Sequence, residues 1–259
     1  MDLGIAGRTA IVCGSSQGLG LACARALSRE GVHVIINGRG QEKLDKTAAE
    51  LRQIARGDVT AVAADVTTEA GQALLLAACP SPDILVNNNA GPAPRNFADI
   101  ERAQWLSAIE ANMIAPLMLI RAVLPAMKER RFGRIVNITS AMVTTPRPHM
   151  TLSSGARAGL TAAMKGLSLD VAKFNVTINN LLPERFDTDR QHQMAKAQMA
   201  RENISYEEAR KSQVQSIAAR RLGDPEEFGA TCAFICSNYA SFMSGQNVHL
   251  DGGSYPALV

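Results

Sequence analysis

The sequence predicts an α/β fold in which a parallel β-sheet carries helices on both faces. Three observations predict it. Short β-branched or apolar runs alternate with longer segments of helical period along the chain, the pattern of repeated β-α units. The first run is followed at once by a glycine-rich turn, Gly14-Ser15-Ser16-Gln17-Gly18-Leu19-Gly20. The chain has 259 residues, 46% of them hydrophobic and 20% charged, which suits one large core better than two small ones.

The expected strands are Thr9 to Cys13, His33 to Asn37, Thr60 to Ala64, Ile84 to Asn87, Arg134 to Ile138, Thr177 to Leu182 and Asn247 to Leu250. The expected helices are Gly18 to Glu30, Gln41 to Arg56, Thr68 to Ala78, Asp99 to Arg130, Ser153 to Phe174 and Pro225 to Ser237. No linker interrupts this alternation, so residues 1–259 are expected to form a single domain. Two of the helices are apolar on more than one face: the one with Trp105, Leu106, Ile109, Met113 and Leu117, and the one with Leu160, Met164, Leu167 and Val171. Packing on a sheet needs one stripe, so the surplus points either to a partner subunit or to deep burial. Residues 189–221 break the rhythm, being rich in Gln, Met, Ala, Lys and Arg with no strand. They read as an inserted helical lid or as solvated surface helices.

Composition removes several function classes. The net charge is +3 with the basic residues dispersed, so no nucleic-acid partner is expected. No secretory leader is read at the N-terminus, and no run of about 18 apolar residues is expected to enter a membrane. Cys13, Cys23, Cys79, Cys232 and Cys236 are odd in number and scattered, which suits buried free thiols in a cytoplasmic protein better than a disulfide framework. Cys232 and Cys236 lie one helical turn apart, but no His or acidic partner completes a ligand set, so no metal is expected.

The glycine turn carries the first chemistry. It joins a strand to a helix with the spacing G-x-x-x-G-x-G, so Gly14, Ser15, Ser16, Gln17, Gly18, Leu19 and Gly20 are expected to hold a dinucleotide pyrophosphate. Glycine lets the backbone approach phosphate closely, and the helix N-H groups and dipole favour its charge. The second strand ends at Asn37-Gly38-Arg39 without the carboxylate that selects an unphosphorylated ribose. Arg39 is suited to a ribose 2′-phosphate, which makes NADP(H) the expected cofactor, or else it is a solvated loop charge.

From these residues onward the chain resembles the short-chain dehydrogenases/reductases, especially reductases of the 3-oxoacyl-carrier-protein type. Asp65-Val66 resembles the adenine-contacting pair, Asp83-Ile84-Leu85-Val86-Asn87-Asn88 the fourth strand and its motif, and Asn112 the helix asparagine. Ser140 follows the fifth strand, and Pro183 with Phe186-Asp187-Thr188 looks like the nicotinamide-side loop. Arg221 to Glu227 and Val248 to Gly253 are similar to the closing motifs. The resemblance implies a Rossmann-like, doubly wound sheet of seven parallel strands, a homotetramer built on the two long helices, and hydride transfer between nicotinamide and a carbonyl or alcohol. It also implies cofactor contacts from Asp65, Val66, Asn88, Phe186 and Thr188.

The catalytic motif departs from that pattern. An ungapped alignment of the expected helix from Ser153 to Phe174 puts Ser153, thirteen residues after Ser140 as is usual in the family, at the family's tyrosine and Arg157 at its lysine. No tyrosine or lysine lies between Ser140 and Met164. Ser153 and Arg157 still share a helix face. Arginine keeps the positive charge that bonds the nicotinamide ribose but cannot relay a proton, and a serine hydroxyl is a far weaker acid than a phenol. Asn112, Ser140, Ser153 and Arg157 are therefore the expected catalytic set, with Glu184, His149 and Tyr206 as alternative proton donors. Asn89 stands where the family motif has alanine. The expected function is an NADP(H)-dependent oxidoreductase of a small carbonyl or alcohol with an atypical proton donor. The alternatives are an inactive cofactor-binding or partner-subunit homologue, and non-redox chemistry in the same pocket.

Overall fold

The computed structural model describes residues 1–258. Seven strands form one parallel sheet in the order β3-β2-β1-β4-β5-β6-β7. They are β1 (Thr9–Val12), β2 (His33–Gly38), β3 (Val59–Ala63), β4 (Ile84–Asn87), β5 (Gly133–Ile138), β6 (Val176–Pro183) and β7 (Asn247–Leu250). Helices α1 (Gly18–Arg29), α2 (Gln41–Arg52), α3 (Glu69–Ala78), α4 (Arg102–Ile109), α5 (Ala115–Glu129), α6 (Thr151–Val171), α7 (Asp189–Glu202), α8 (Tyr206–Val214) and α9 (Pro225–Cys236) complete the chain. The chain order reverses between β1 and β4, and the crevice at that switch point is where α/β sheets take ligands.

Side chains alternate across the sheet as the two-residue period requires. Ala10, Val12, Val34 and Ile36 pack with Leu27, Leu44, Phe228 and Cys232 on one face. Ile11, Cys13, Leu85 and Ile135 pack with Leu119, Val123, Leu160 and Met164 on the other. Burial on both faces explains why the central strands read as continuous apolar runs. Thr68 caps α3 by accepting from Gly71 N at 3.0 Å. Asp224 and Glu227 form a capping box on α9, with Pro225 in its first turn.

One polar feature crosses this sheet. Asn87, Asn137, Asn180 and Asn247 lie directly opposite one another on β4, β5, β6 and β7. Each donates its amide to the next, at 2.9, 3.0 and 2.9 Å. The ladder satisfies amides that burial would otherwise penalise, with Asn87 Oδ1 alone of its buried side-chain polar atoms left without a partner among the described residues, and it ties together the strand ends that carry the site.

The helix expected over Asp99 to Arg130 is interrupted. Glu110–Ile114 forms a π turn between α4 and α5, and Phe97–Asp99 is a separate 3₁₀ turn. Pro116 has no N-H for the carbonyl four residues back, so the regular ladder cannot pass Asn112. The run Arg102–Glu129 is also long and apolar enough to cross a membrane, with mean hydropathy 1.5. Its Leu119, Ile120, Val123 and Met127 are buried against the sheet, so much of this apolarity serves the core. The second helix stops at Arg52, short of the expected Arg56, where the Arg52 guanidinium turns onto Val59 O.

Residues 189–221 hold α7 and α8, joined through Asn203 at φ 52°. The pair is tied together by Gln213 Nε2 on Gln191 O at 2.9 Å and by Tyr206 Oη with His192 Nδ1 at 2.6 Å. Arg210 fastens it to Asp187 at 2.7 Å.

Candidate active site

The glycine turn has the geometry its sequence demands. Gly14 has φ +56°, and a Cβ there would meet Asn88 Nδ2 at 2.9 Å. Gly20 has no room for any side chain, since its Cβ would lie 2.4 Å from Gly14 O. Gly18 sits beside Thr188, 4.0 Å from a built Cβ to Thr188 Cγ2, so the loop after β6 reaches the opening of α1. Ser15 is fully buried and donates to Val12 O at 2.6 Å, while Leu19 packs against the core. The exposed side of the turn is thus backbone N-H groups, Ser16 and Gln17. Gln17 is in contact with Lys43.

Asn37 was not singled out by sequence reasoning, yet it organises this turn. Its Oδ1 accepts from Gly14 N at 3.3 Å and its Nδ2 donates to Val62 O and Ala64 O at 3.1 and 3.0 Å. The only sequence signal was a polar residue ending an apolar strand. Asn88 is also a fastener: its Nδ2 donates to Gly14 O at 3.0 Å, which leaves its role toward a cofactor indirect. Burial pushes the Cys13 thiol, just before the turn, up to about 12, so it stays protonated.

At the other end of the crevice Asp65 accepts from Thr67 N and Oγ1 at 2.9 and 2.7 Å. These bonds, with a smaller contribution from nearby Arg39, hold its carboxyl below the usual range. Val66 is buried beside it. Arg39 is exposed and has no ion-pair partner among the described residues, which leaves its guanidinium available to a phosphate. Arg39→Asp is expected to lower NADPH affinity at least about tenfold, the loss of one charge-assisted contact, and to narrow the preference over NADH. Fluorescence titration with both cofactors checks it.

The expected catalytic residues gather where β4, β5 and α6 meet. Ser140 is half-buried past the end of β5, and its Oγ accepts from Met142 N at 3.1 Å. Arg157 projects from α6 and donates to Ile138 O, Thr139 O and Asn89 O at 2.7, 3.1 and 3.2 Å. Burial, reinforced by Arg190, lowers its pKa to about 10, so it remains a cation at neutral pH. Ser153, one turn earlier, is buried on the same face. Gly91 lies between them: a Cβ there would be 3.4 Å from Arg157 Nη2 and 3.7 Å from Ser153 Oγ.

Asn112 sits in the π turn, buried, with Nδ2 donating to Ala108 O at 3.3 Å. Its Oδ1 has no partner among the described residues. Gly159 of α6 has Met113 Sδ 2.8 Å from where a Cβ would be, so the turn rests directly on α6. Asn89 clasps the arrangement, its Nδ2 donating to Ala111 O at 3.2 Å while its carbonyl holds Arg157. The unusual Asn89 therefore braces the π turn, a role sequence reasoning missed.

Of the alternative donors, Glu184 and Tyr206 are engaged by other side chains. Glu184 is ion-paired with Arg147 at 3.0 Å and with Arg185 at 3.7 Å. Tyr206 is bonded to His192. His149 is exposed at φ +65°, and its carbonyl accepts from Arg95 N at 2.9 Å. The Phe186 ring packs edge-on to Phe228 at 5.2 Å and against Gly223. All five cysteines are free and buried. Among the described residues no group of three or more His, Cys, Asp or Glu is placed to hold a metal.

Known proteins share this arrangement of strands and loops. A family model described as enoyl-(acyl carrier protein) reductase matches residues 14–255. The NADPH-dependent reductase BacG of Bacillus subtilis (strain 168) is 31% identical over 256 residues, covering 97% of this chain and 99% of that protein. Dehydrogenase/reductase SDR family member 4 of Oryctolagus cuniculus is 30% identical over 256 residues, covering 96% and 94%. The crystal structure of L-sorbose reductase from Gluconobacter frateurii, complexed with NADPH and L-sorbose, matches with a TM-score of 0.95 at 27% identity over 100% of both chains. With the glycine turn at the β1/β4 switch point and relatives matched over nearly their full length, the chain belongs to the short-chain dehydrogenase/reductase family.

Proposed function

We propose that this protein is an NADP(H)-dependent carbonyl reductase whose active site works without the family's tyrosine and lysine. The observation that carries the reading is the open cofactor cradle beside a buried Ser153 and Arg157, which the ungapped alignment sets against those two residues. The cradle fits the cofactor: Gly14 and Gly20 leave the space that side chains would fill, and Arg39 stands free for a 2′-phosphate. Ser15, Ser16, Gln17, Gly18, Leu19 and Thr188 bound the pyrophosphate, while Asp65 and Val66 border the adenine. Asn88 and Asn37 hold the turn in shape. Bound there, the dihydronicotinamide supplies hydride to a carbonyl carbon.

The chain's own groups manage the charge that develops on the carbonyl oxygen. Ser140 donates its hydroxyl hydrogen to that oxygen, because its Oγ accepts from Met142 N and the hydrogen is left to give. Ser153 adds a second hydroxyl on the same side. Arg157 stabilises the oxyanion through its fixed charge and bonds the nicotinamide ribose with the N-H groups that the three carbonyls leave unused. It releases no proton. The oxygen takes its proton from water by way of Ser153, with Asn112 placing the water through its unpartnered Oδ1. Glu184 and Tyr206 are held by other residues and His149 is exposed on its loop, and in this reading solvent is the proton source.

The α7-α8 pair closes over the substrate from Asp187 and Thr188. Residues 1–259 act as one domain, and the active form is a homotetramer in the cytoplasm. One subunit face is the apolar groove of 470 Å³ lined by Leu117, Ile120, Leu124, Met164 and Leu167. The other is the exposed Phe234, Tyr239 and Phe242.

The test is NADPH oxidation, followed by absorbance, over a panel of aldehydes and ketones. The wild-type protein is expected to turn over, and Ser153→Tyr with Arg157→Lys to raise the rate on simple ketones by about tenfold or more, within the range of a positioned general acid. NADPH raising the melting temperature with no turnover in either protein would contradict the reading in favour of a cofactor-binding homologue.

A further inference from the structure

Glu184 occupies a place where a lone carboxylate would be costly. It follows Pro183 at the carboxyl end of β6, and its side chain is 4% exposed. Two guanidiniums compensate it, but they are not equivalent. Arg185 is spent, since its Nη1 also donates to Gln213 O and Ser216 Oγ at 2.5 and 3.1 Å. The Arg147 side chain has Glu184 as its one ion-pair partner among the described residues, and 35% of it remains exposed.

Arg147 lies on the loop that runs from Ser140 to the first turn of α6, the segment that also carries the reactive hydroxyl, and Glu184, which it meets, follows Pro183 at the end of β6. An arginine on such a loop would ordinarily sample many rotamers. Here Glu184 Oε1 lies 3.0 Å from Arg147 Nη1, an ion pair that restrains the guanidinium and leaves Nε and Nη2 without a hydrogen-bond partner among the described residues. The charges do not balance either: two guanidiniums share one carboxylate, a surplus of one positive charge. Arg95 lies on the adjoining loop, bonded by its backbone to His149, and has no ion-pair partner among the described residues. An oriented guanidinium with free donors and one unbalanced charge is matched to a planar monoanion.

Resting on the carbonyl-reductase reading, we propose that the substrate is an oxo acid and that Arg147, positioned by Glu184, receives its carboxylate. Arg147 sets specificity; Glu184 acts through it.

The experiment compares pyruvate, 2-oxobutyrate, acetoacetate and levulinate with their methyl esters, both in NADPH oxidation and by calorimetric binding to the NADP⁺-saturated and cofactor-free protein. At least one acid is expected to exceed its ester by about tenfold or more in kcat/KM and in affinity, the lower end of a charge-assisted contact. In Arg147→Gln the ratio falls to near one, Arg147→Lys retains part of it, and Glu184→Gln raises KM for the acid more than it changes kcat. Every ester matching or exceeding its acid, or a ratio that Arg147→Gln leaves intact in a folded protein, overturns the proposal. If no compound is reduced, the reductase reading fails by itself, and the acid-to-ester binding ratio still decides the fate of Arg147.

Discussion

Ser140→Ala is expected to lower kcat by about 10²–10³-fold, the usual loss when one donor to a developing oxyanion is removed. The hydroxyl is held where a carbonyl oxygen arrives: Thr139 N bonds Leu181 O at 2.9 Å, Arg157 grips the carbonyls of Ile138 and Thr139, and Met142 N donates to the Oγ. Because the hydroxyl also caps the short turn Ala141–Val143, its loss costs about 1 kcal/mol, which lowers Tm by only about 2–4 °C for a chain of this size. A folded, NADPH-binding, inactive protein is therefore the expected product. Rates near wild type would remove Ser140 from the mechanism.

Gly20→Ala is expected to weaken NADPH binding at least about a hundredfold, since a backbone displacement near 1 Å can cost that much at a precisely arranged site. The added methyl has nowhere to go. It would stand 2.4 Å from Gly14 O and 2.8 Å from Asn88 Nδ2, and one of those atoms is backbone in the phosphate turn itself. Relief requires Gly14 to move away from α1, opening the cradle and breaking the Asn88 bond. Stability falls too, by about 1–3 kcal/mol, the ordinary range for overpacking. Fluorescence titration with NADPH and thermal melting separate the two effects. Binding within twofold of wild type would show that the turn does not hold the pyrophosphate.

The sheet was legible because strands buried on both faces leave unbroken apolar runs, and the first turn because its glycines answer to steric limits visible in any sequence. The break between α4 and α5 was hidden. Apolar periodicity continues through Met113 and Leu117, and only Pro116 marks the lost hydrogen bond. The asparagine ladder was illegible for a different reason: its four members are remote in sequence and meet only once strand register is known. Glu184 was singled out as an alternative proton donor, but its ion-pair partner Arg147 comes from a loop whose course no periodicity constrains. The packing of the Phe186 ring on Phe228 was equally illegible, since the two residues are remote in sequence.

The central claim is that hydride passes from NADPH to a carbonyl carbon in this site, and deuterium transfer tests it most directly. With NADPH deuterated at C4 on the transferred face, the alcohol formed by the wild-type protein is expected to carry that deuterium at its carbinol carbon, detected by mass spectrometry. Product that forms without deuterium from either C4 face, or NADPH that binds and is never consumed by any carbonyl, would contradict the account.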